Sequence, residues 1–405
     1  MAKIDDLLKE LCPDGVEWKT LSELGKFFGG LTGKSKSDFQ DGNSKYITYK
    51  NVYENPSIDL AINDLVFVSD GEKQNIVQFK DVLFTGSSET PNECGMSSVI
   101  TETPKESYYL NSFCFGFRLN DTYLFNEQFL KHYFRSSAFR SDIGKTANGV
   151  TRFNISKVKF GQLQIPILPL PIQQHIVEVL DTFTDAISNL EEELALREKQ
   201  FEYYCNTLIS QADGDVKTLG EIGRMERGNG LLKSDFTEEG FPCIHYGQIH
   251  TFYGTATYNT KSFCSEGLAK KLRKAKYGDL LIATTSEDVE ACCKATVWLG
   301  EGEVAFSGDS YKFSHSQDPK YISYLFKTEE FERQKRPCAT GAKVVRVSGS
   351  SMEKFKFNFP SLERQQEIVD ILDTFEAMIA NIKEEIVLRT KQYEYYREKL
   401  LSFGK

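Results

Sequence analysis

Loops rich in lysine, arginine and side-chain amides are the chemically suggestive feature of this 405-residue chain. Lys34 and Lys36 follow a glycine-rich turn, Tyr49-Lys50-Asn51 follows an apolar run, and Asn148, Thr151 and Arg152 surround Gly149. Farther on stand Lys233, then Tyr246 with Gln248, and then the densest basic run, Lys270-Lys271-Leu272-Arg273-Lys274. Lys343 and Arg346 follow Gly341. Lysine and arginine contact phosphates, whereas asparagine, glutamine and arginine on loops can read base edges. These residues are therefore the candidate DNA contacts. Tyr49 and Tyr246 suit stacking on a base or burial in a core.

Catalytic patterns are lacking. Gly29-Gly30-Leu31-Thr32-Gly33-Lys34-Ser35 falls short of a phosphate loop, because that spacing needs glycine where Phe28 stands. There is no Pro-Pro dipeptide, so the Asn/Asp-Pro-Pro-aromatic motif of DNA amino-methyltransferases is missing. His245 and His250, with Cys243 and Cys264, match no zinc spacing. No nucleophile–base pair has hydrolase spacing. The expectation is a non-enzymatic chain without metal or cofactor of its own.

The elements that must position these loops come from an internal repeat. Gln173-Gln174-His175-Ile176-Val177 recurs 192 residues later as Gln365-Gln366-Glu367-Ile368-Val369, and about 21 of 38 positions from 173 to 210 are identical to their counterparts. Upstream, Lys19-Thr20-Leu21-Ser22-Glu23-Leu24-Gly25 recurs as Lys217-Thr218-Leu219-Gly220-Glu221-Ile222-Gly223, and Lys36–Phe39 as Lys233–Phe236. Tyr46–Asn51 parallels Cys243–Gln248, and Asn63–Val66 is matched with Gly278–Leu281 at a different offset. The helical copies agree and the globular copies diverge. The helices do one job twice; the globular units do related jobs on different targets.

Each repeated segment carries apolar residues at strict 4-3 spacing. The first seam runs from Ile176, Leu180 and Phe183 to Tyr204 and Leu208; the second runs from Ile368, Leu372 and Phe375 to Tyr396 and Leu400. That spacing is a coiled-coil seam. Two matched seams in one chain favour pairing within it over a homodimer zipper. Arg197 and Arg389 interrupt the seams at equivalent places, either fixing register or snorkelling to solvent. The 33 seam residues would extend about 50 Å, roughly 15 base pairs of B-DNA.

Between these segments, strand-like runs at 65–69, 82–85, 113–119, 280–284, 295–298 and 304–306 and helical stretches at 126–139 and 319–334 predict mixed α/β units. The expected plan is a target-recognition domain at 1–165, a spacer helix at 166–212, a second recognition domain at 213–357 and a second spacer at 358–405. The net charge of −9 is concentrated in the spacers, with eight acids against two bases in the first and nine against seven in the second. The remainder, near −1, leaves room for local basic patches. Nine scattered cysteines without Cys-x-x-Cys fit free thiols in a reducing cytoplasm. The charged amphipathic start does not read as a signal peptide, and no apolar run is long enough for a membrane span.

The Pro-Leu-Pro-x-Gln-Gln-x-Ile-Val lead-in (Pro169–Val177), its second copy (Pro360–Val369), the duplicated helix and the duplicated Lys-Thr-Leu-x-Glu-x-Gly entry resemble the specificity subunits of type I restriction–modification systems over essentially the whole chain. Ser361 and Glu363 replace Pro169 and Pro171 in the second copy. The resemblance implies an α+β fold with two recognition domains, an antiparallel intramolecular coiled coil and a pseudo-twofold axis. It implies binding of double-stranded DNA at a bipartite site, docking of two methyltransferase subunits and, in the full complex, motor–nuclease subunits. S-adenosylmethionine, ATP and magnesium would belong to those partners. A coiled-coil adaptor that binds no DNA, and a specificity component of a related methyltransferase–nuclease, are the alternatives.

Overall fold

The computed structural model describes residues 2–90, 93–341 and 343–403. Met1 of the amphipathic start and Ala342 of the second glycine loop lie outside the described residues. The chain divides into two compact units, Met1–Leu190 with Glu385–Lys405, and Glu191–Glu384.

In the first unit, the central antiparallel sheet orders the strands Gly25–Gly29, Cys114–Leu119, Val82–Thr85 and Ser97–Val99. A second sheet orders Leu65–Val66, Ser44–Ile47 and Tyr108–Leu110. The core between the central sheet and its helices is aromatic: Phe84, Phe115, Phe134, Phe139 and Phe160 are buried and meet mostly edge to face. The second unit repeats the plan with Gly223–Arg227, Ser310–His315, Leu280–Ala283 and Lys294–Trp298 in the central sheet, extended by Ala256–Thr257. Its second sheet joins Ser262–Cys264, Phe241–Ile244 and Val304–Phe306.

The duplicated sequence motifs acquire physical roles. Thr20 and Thr218 cap short helices through capping boxes with Glu23 and Glu221. Gly25 and Gly223 then let the chain pass within reach of the Arg118 and Ser314 carbonyls, where a Cβ would come to 2.3 and 2.4 Å. The first glutamine of each Gln-Gln pair is fully buried. Gln173 accepts from the Asn126 N–H and donates to the carbonyls of Leu124 and Leu168. Gln365 accepts from the Asp318 N–H and donates to the Pro360 carbonyl and the Gln317 side chain. Each glutamine thus fastens the start of a long helix to the cap of a shorter one.

The long helices are Leu170–Ser210 and Leu362–Leu400. In the first unit the start of one lies along the end of the other, with Phe183 stacked on Tyr396 at 5.1 Å. The second unit makes the equivalent stack, Phe375 on Tyr204 at 5.1 Å, and adds a Glu198–Lys383 ion pair. There the second index falls as the first rises, so the pairing is antiparallel. The zipper therefore closes within one chain. Neither seam arginine reaches across: Arg197 turns to Glu193 and Gln200, and Arg389 to Glu385 and Gln392, all on their own helices. The stems lie in the seam and the heads snorkel.

Two expectations change. The stretches 126–139 and 319–334 are each two helices, Glu127–Tyr133 with Ser137–Gly144 and Pro319–Leu325 with Glu329–Lys335, because Ser136 and Thr328 adopt extended conformations and cap the second of each pair. The match of 63–66 with 278–281 is also wrong. Leu65–Val66 pairs with Ser44–Lys45 in the second sheet, whereas Leu280 begins a central strand. The true counterpart is 80–83. Lys80 and Gly278 both have left-handed backbones, φ 67° and 88°. Asp81 and Asp279, both buried, accept from the N–H three residues earlier, Gln78 and Lys276. Lysine in a position that favours glycine hid the equivalence.

Candidate nucleic-acid interface

In the first unit, the strands Ala147–Asn148 and Phe153–Ile155 form a hairpin, and Ser87–Ser88 pairs along the other edge of Phe153–Ile155. Gly149 closes the turn at φ 146°; a Cβ there would sit 2.0 Å from the Arg152 carbonyl oxygen. The thiol of buried Cys94 donates to the Phe153 carbonyl and ties the hairpin down from beneath. The tip exposes Val150, Thr151 and Arg152, with Asn148 beside them. The Arg152 guanidinium lies 5.4 Å over the ring of Phe113, itself 56% exposed. The Tyr49 hydroxyl donates to the Ser87 carbonyl at 2.8 Å, and Tyr49 stacks on Tyr53. Tyr49, Tyr53, Ser87, Ser88, Glu89, Glu93, Phe113 and Arg152 line one cavity of about 360 Å³.

The second unit builds the same scaffold from Thr285–Ser286 against Val345–Arg346, with Thr340 bridging Arg346. Gly341, φ 109°, plays the part of Gly149: a Cβ there would meet the Val344 carbonyl oxygen at 2.1 Å. Register therefore equates Val344 with Arg152 and Arg346 with Asn154. A His250 ring N–H donates to the Thr285 carbonyl at 2.9 Å, as Tyr49 does to Ser87. Around this edge basic side chains interleave with carboxylates, Arg273 pairing with Glu226 at 3.4 Å. Thr285 donates to Asp309, which pairs with Arg227 at 3.8 Å. Arg227 also donates to the Gly308 carbonyl, and Arg273 donates to the Arg227 carbonyl. Asn229 holds the Lys271 carbonyl and the Arg273 N–H. Arg227, Lys271, Arg273 and Arg346, remote in sequence, form one connected surface.

The sequence candidates separate accordingly. Tyr49 and Arg152 share the first cavity, with Asn148 and Thr151 on the same hairpin. Arg346, Arg273 and Lys271 share the second surface; Lys343 is exposed at the tip, and Lys270 is exposed beside Lys271. Lys233 is exposed in a turn and its stem lies 3.8 Å from where a Cβ of Gly247 would be, at the start of the helix carrying Tyr246. Tyr246 packs on His245 at 4.5 Å.

Other candidates are committed internally. Asn51 is buried and its amide serves Asp59 and Asn55; the Gln248 amide serves Ser262 and His245. Lys34 is nearly buried against Glu72 at 2.6 Å, and that bond, with help from Gln74 and the Ser69 N–H, holds the Glu72 carboxyl down at about 2. Lys274 pairs with Glu303 over the face of Phe241. Lys50 is exposed beside Glu54, and Lys36 is exposed in its own turn.

Sequence reading missed Phe113, Tyr53, Glu89 and Glu93 in the first unit and Arg227, Asp309, Thr285 and His250 in the second. One signal was available: Ser87-Ser88-Glu89 and Thr285-Ser286-Glu287 each leave a central strand at the same place. Among the described residues, no group of three or more His, Cys, Asp or Glu is arranged to hold a metal, and no helix is long and apolar enough to cross a membrane.

A duplicated α+β unit, each copy with paired stretches of long helix and a hairpin-edged cradle, is the architecture of a repeated binding scaffold. The family model for the type I restriction modification DNA specificity domain matches residues 13–197 and again 212–388. The chain belongs to that family and carries its domain twice: it is a type I restriction–modification specificity subunit. A Haemophilus influenzae chain named as a type I restriction enzyme specificity subunit is 29% identical over 69% of this chain and 73% of its own length. The EcoR124I/EcoR124II specificity subunit of Escherichia coli is 30% identical over 63% of this chain, and the match spans 65% of that protein. Among solved structures, a chain from work on complex assembly and conformational transition of the type I R-M system shares the fold, with TM-score 0.62, 15% identity, and coverage of 96% of this chain and 98% of the other.

Proposed function

We propose that the chain is the non-catalytic DNA-reading component of its complex and that each unit reads one half of a bipartite double-stranded site. The observation that carries this reading is the pair of cradles: the same hairpin, glycine turn and flanking strand, furnished with different side chains. Shared scaffold and divergent furniture are what two related jobs on unlike targets require. Methyltransferase subunits dock on the chain and modify the DNA, and motor–nuclease subunits complete the restriction complex. S-adenosylmethionine, ATP and magnesium serve those partners. The lengths of the two long helices set the number of unread base pairs.

The test is methylome sequencing of cells expressing the chain with its methyltransferase partner. A two-part motif is expected. Replacing residues 213–357 with the corresponding segment of another such chain should change one half-site and leave the other intact. Inserting one heptad in both long helices should lengthen the gap and spare both half-sites. Binding of random-sequence duplexes by the partnered complex should weaken with salt. A complex that shows no salt-dependent DNA binding would leave the adaptor reading standing instead.

A further inference from the structure

Arg152 is an exposed basic side chain of the first unit that lies over an exposed aromatic ring. It lies at the exposed tip of a β-hairpin whose second strand is backed by Ser87–Ser88, and a β-hairpin tip is an element a major groove admits. Its guanidinium rests on the exposed ring of Phe113 at 5.4 Å. A ring beneath a guanidinium restrains its plane, and the N–H fork at the edge of that plane stays available to a base. The same cavity is lined by Glu89 and Glu93. Carboxylates beside an arginine weaken its hold on a phosphate by repelling the DNA backbone, but they tolerate a neutral base edge and can accept from an exocyclic amine.

We infer that Arg152, braced by Phe113, reads a guanine in the half-site bound by the first unit, donating in bidentate fashion to O6 and N7. The inference rests on the proposed DNA-reading function and adds a base identity and a residue to it. Phe113 is a positioning residue. The second unit has Val344 in place of Arg152 and, just before the strand that matches Cys114–Leu119, Asp309 in place of Phe113, so it makes no such contact.

Three variants of the full chain, each expressed with the methyltransferase partner, test this by methylome sequencing: Arg152→Ala, Arg152→Lys and Phe113→Leu. Arg152→Ala should lower the preference for guanine at one position of one half-site by about 10- to 100-fold, and leave the other half-site as it was. Arg152→Lys keeps the charge but not the fork, so it should lose the same preference while retaining overall binding at low salt. Phe113→Leu should relax the same position to a smaller extent, and Phe113→Tyr should restore it. Uniform loss of methylation with an unchanged motif, rescued by lysine, would make Arg152 a phosphate contact and overturn the inference. So would relaxation at a position that is not a G·C pair, or no change at all. A wild-type complex that methylates no two-part motif would bring down the proposed function itself, and this inference with it.

Discussion

The two units share a backbone plan but spend polar chemistry differently at equivalent places. In the first unit, Asp181 on the long helix takes hydrogen bonds from buried His132 and from Lys131, and His132 also meets the Tyr393 hydroxyl. Burial pushes the Asp181 carboxyl up, but these bonds outweigh it and hold the group below its usual range. In the second unit the equivalent Asp373 is met by the Tyr324 hydroxyl and Lys320. The N–H that opens a short helix is likewise held in both units, at Ser137 by Glu398 and at Glu329 by Asn206. The helix–domain joint is thus conserved as geometry, with its hydrogen-bonding partners exchanged. At the cradles the scaffold is again held and the side chains are not. Selection by packing keeps the joints alike; nothing in the packing constrains the exposed tips.

Trp18 lies in the first unit and Trp298 in the second, so Trp298→Phe and Trp18→Phe backgrounds report each unit separately by fluorescence. The largest effect is expected at the glutamine clamps. Gln173→Leu strands an N–H and two carbonyls in the first unit, and Gln365→Leu strands an N–H, a carbonyl and an amide in the second. Each should cost its own unit roughly 3 kcal/mol in urea unfolding. A loss confined to one unit would break the claimed equivalence, and a single coincident transition in both backgrounds would show that they unfold as one.

Acid should separate the units next. His315 is half-buried, with its Nε2 shielded from solvent, at the strand position where the first unit has Leu119. Its Nδ1 accepts from the Gln317 N–H, and its Nε2 has no partner. Burial pulls its pKa down to about 4. The unfolded chain, near 6.5, takes up the proton first, so this contribution is whole above pH 6.5 and is lost as pH falls toward 4. His132 in the first unit is also lowered by burial, but Asp181 pulls it back. The Trp298 signal should therefore lose stability more steeply over that window, and His315→Leu should abolish the excess. Equal slopes before the substitution would sink this contrast.

How much was legible follows from the same division. The seams were readable because a 3.5-residue period must appear in sequence if a helix is to bury one stripe. The Gln-Gln and Lys-Thr-Leu-x-Glu-x-Gly repeats were readable because clamps and capping boxes admit few residue types. The cradles were only half visible. Arg152 and Arg346 were singled out by type, yet register places them two positions apart, Arg346 standing where the first unit has Asn154. Asn51 and Gln248 looked like base readers and proved to be internal hydrogen-bonding hubs, since sequence shows that an amide is present but not what it faces. Phe113 and Asp309, each closing a cradle, have no chemistry in common and so gave no repeat to find.

A smaller effect probes the concealed equivalence at Lys80 and Gly278. Gly278→Lys imposes a side chain on a left-handed backbone with room for it, the nearest atom being a Pro319 carbon at 3.5 Å. The cost should be backbone strain alone, about 1 kcal/mol, read from the Trp298 transition. Lys80→Gly relieves that strain in the first unit but gives up bonds to the Thr122 and Phe125 carbonyls and the Glu127 pair, so it should gain less than Gly278→Lys loses.

The smallest effect belongs to the seam arginines. Arg197 and Arg389 keep their charges in solvent and pair only along their own helices, contacts worth a few tenths of a kcal/mol each. Arg197→Leu and Arg389→Leu should shift stability by less than about 0.5 kcal/mol and leave the second unit and the first, respectively, correctly paired. Were either arginine instead the device that fixes register, its loss would let the helices slip by a heptad. Phe183 would then leave Tyr396, or Phe375 leave Tyr204, and cysteine pairs placed at those stacked positions would no longer crosslink.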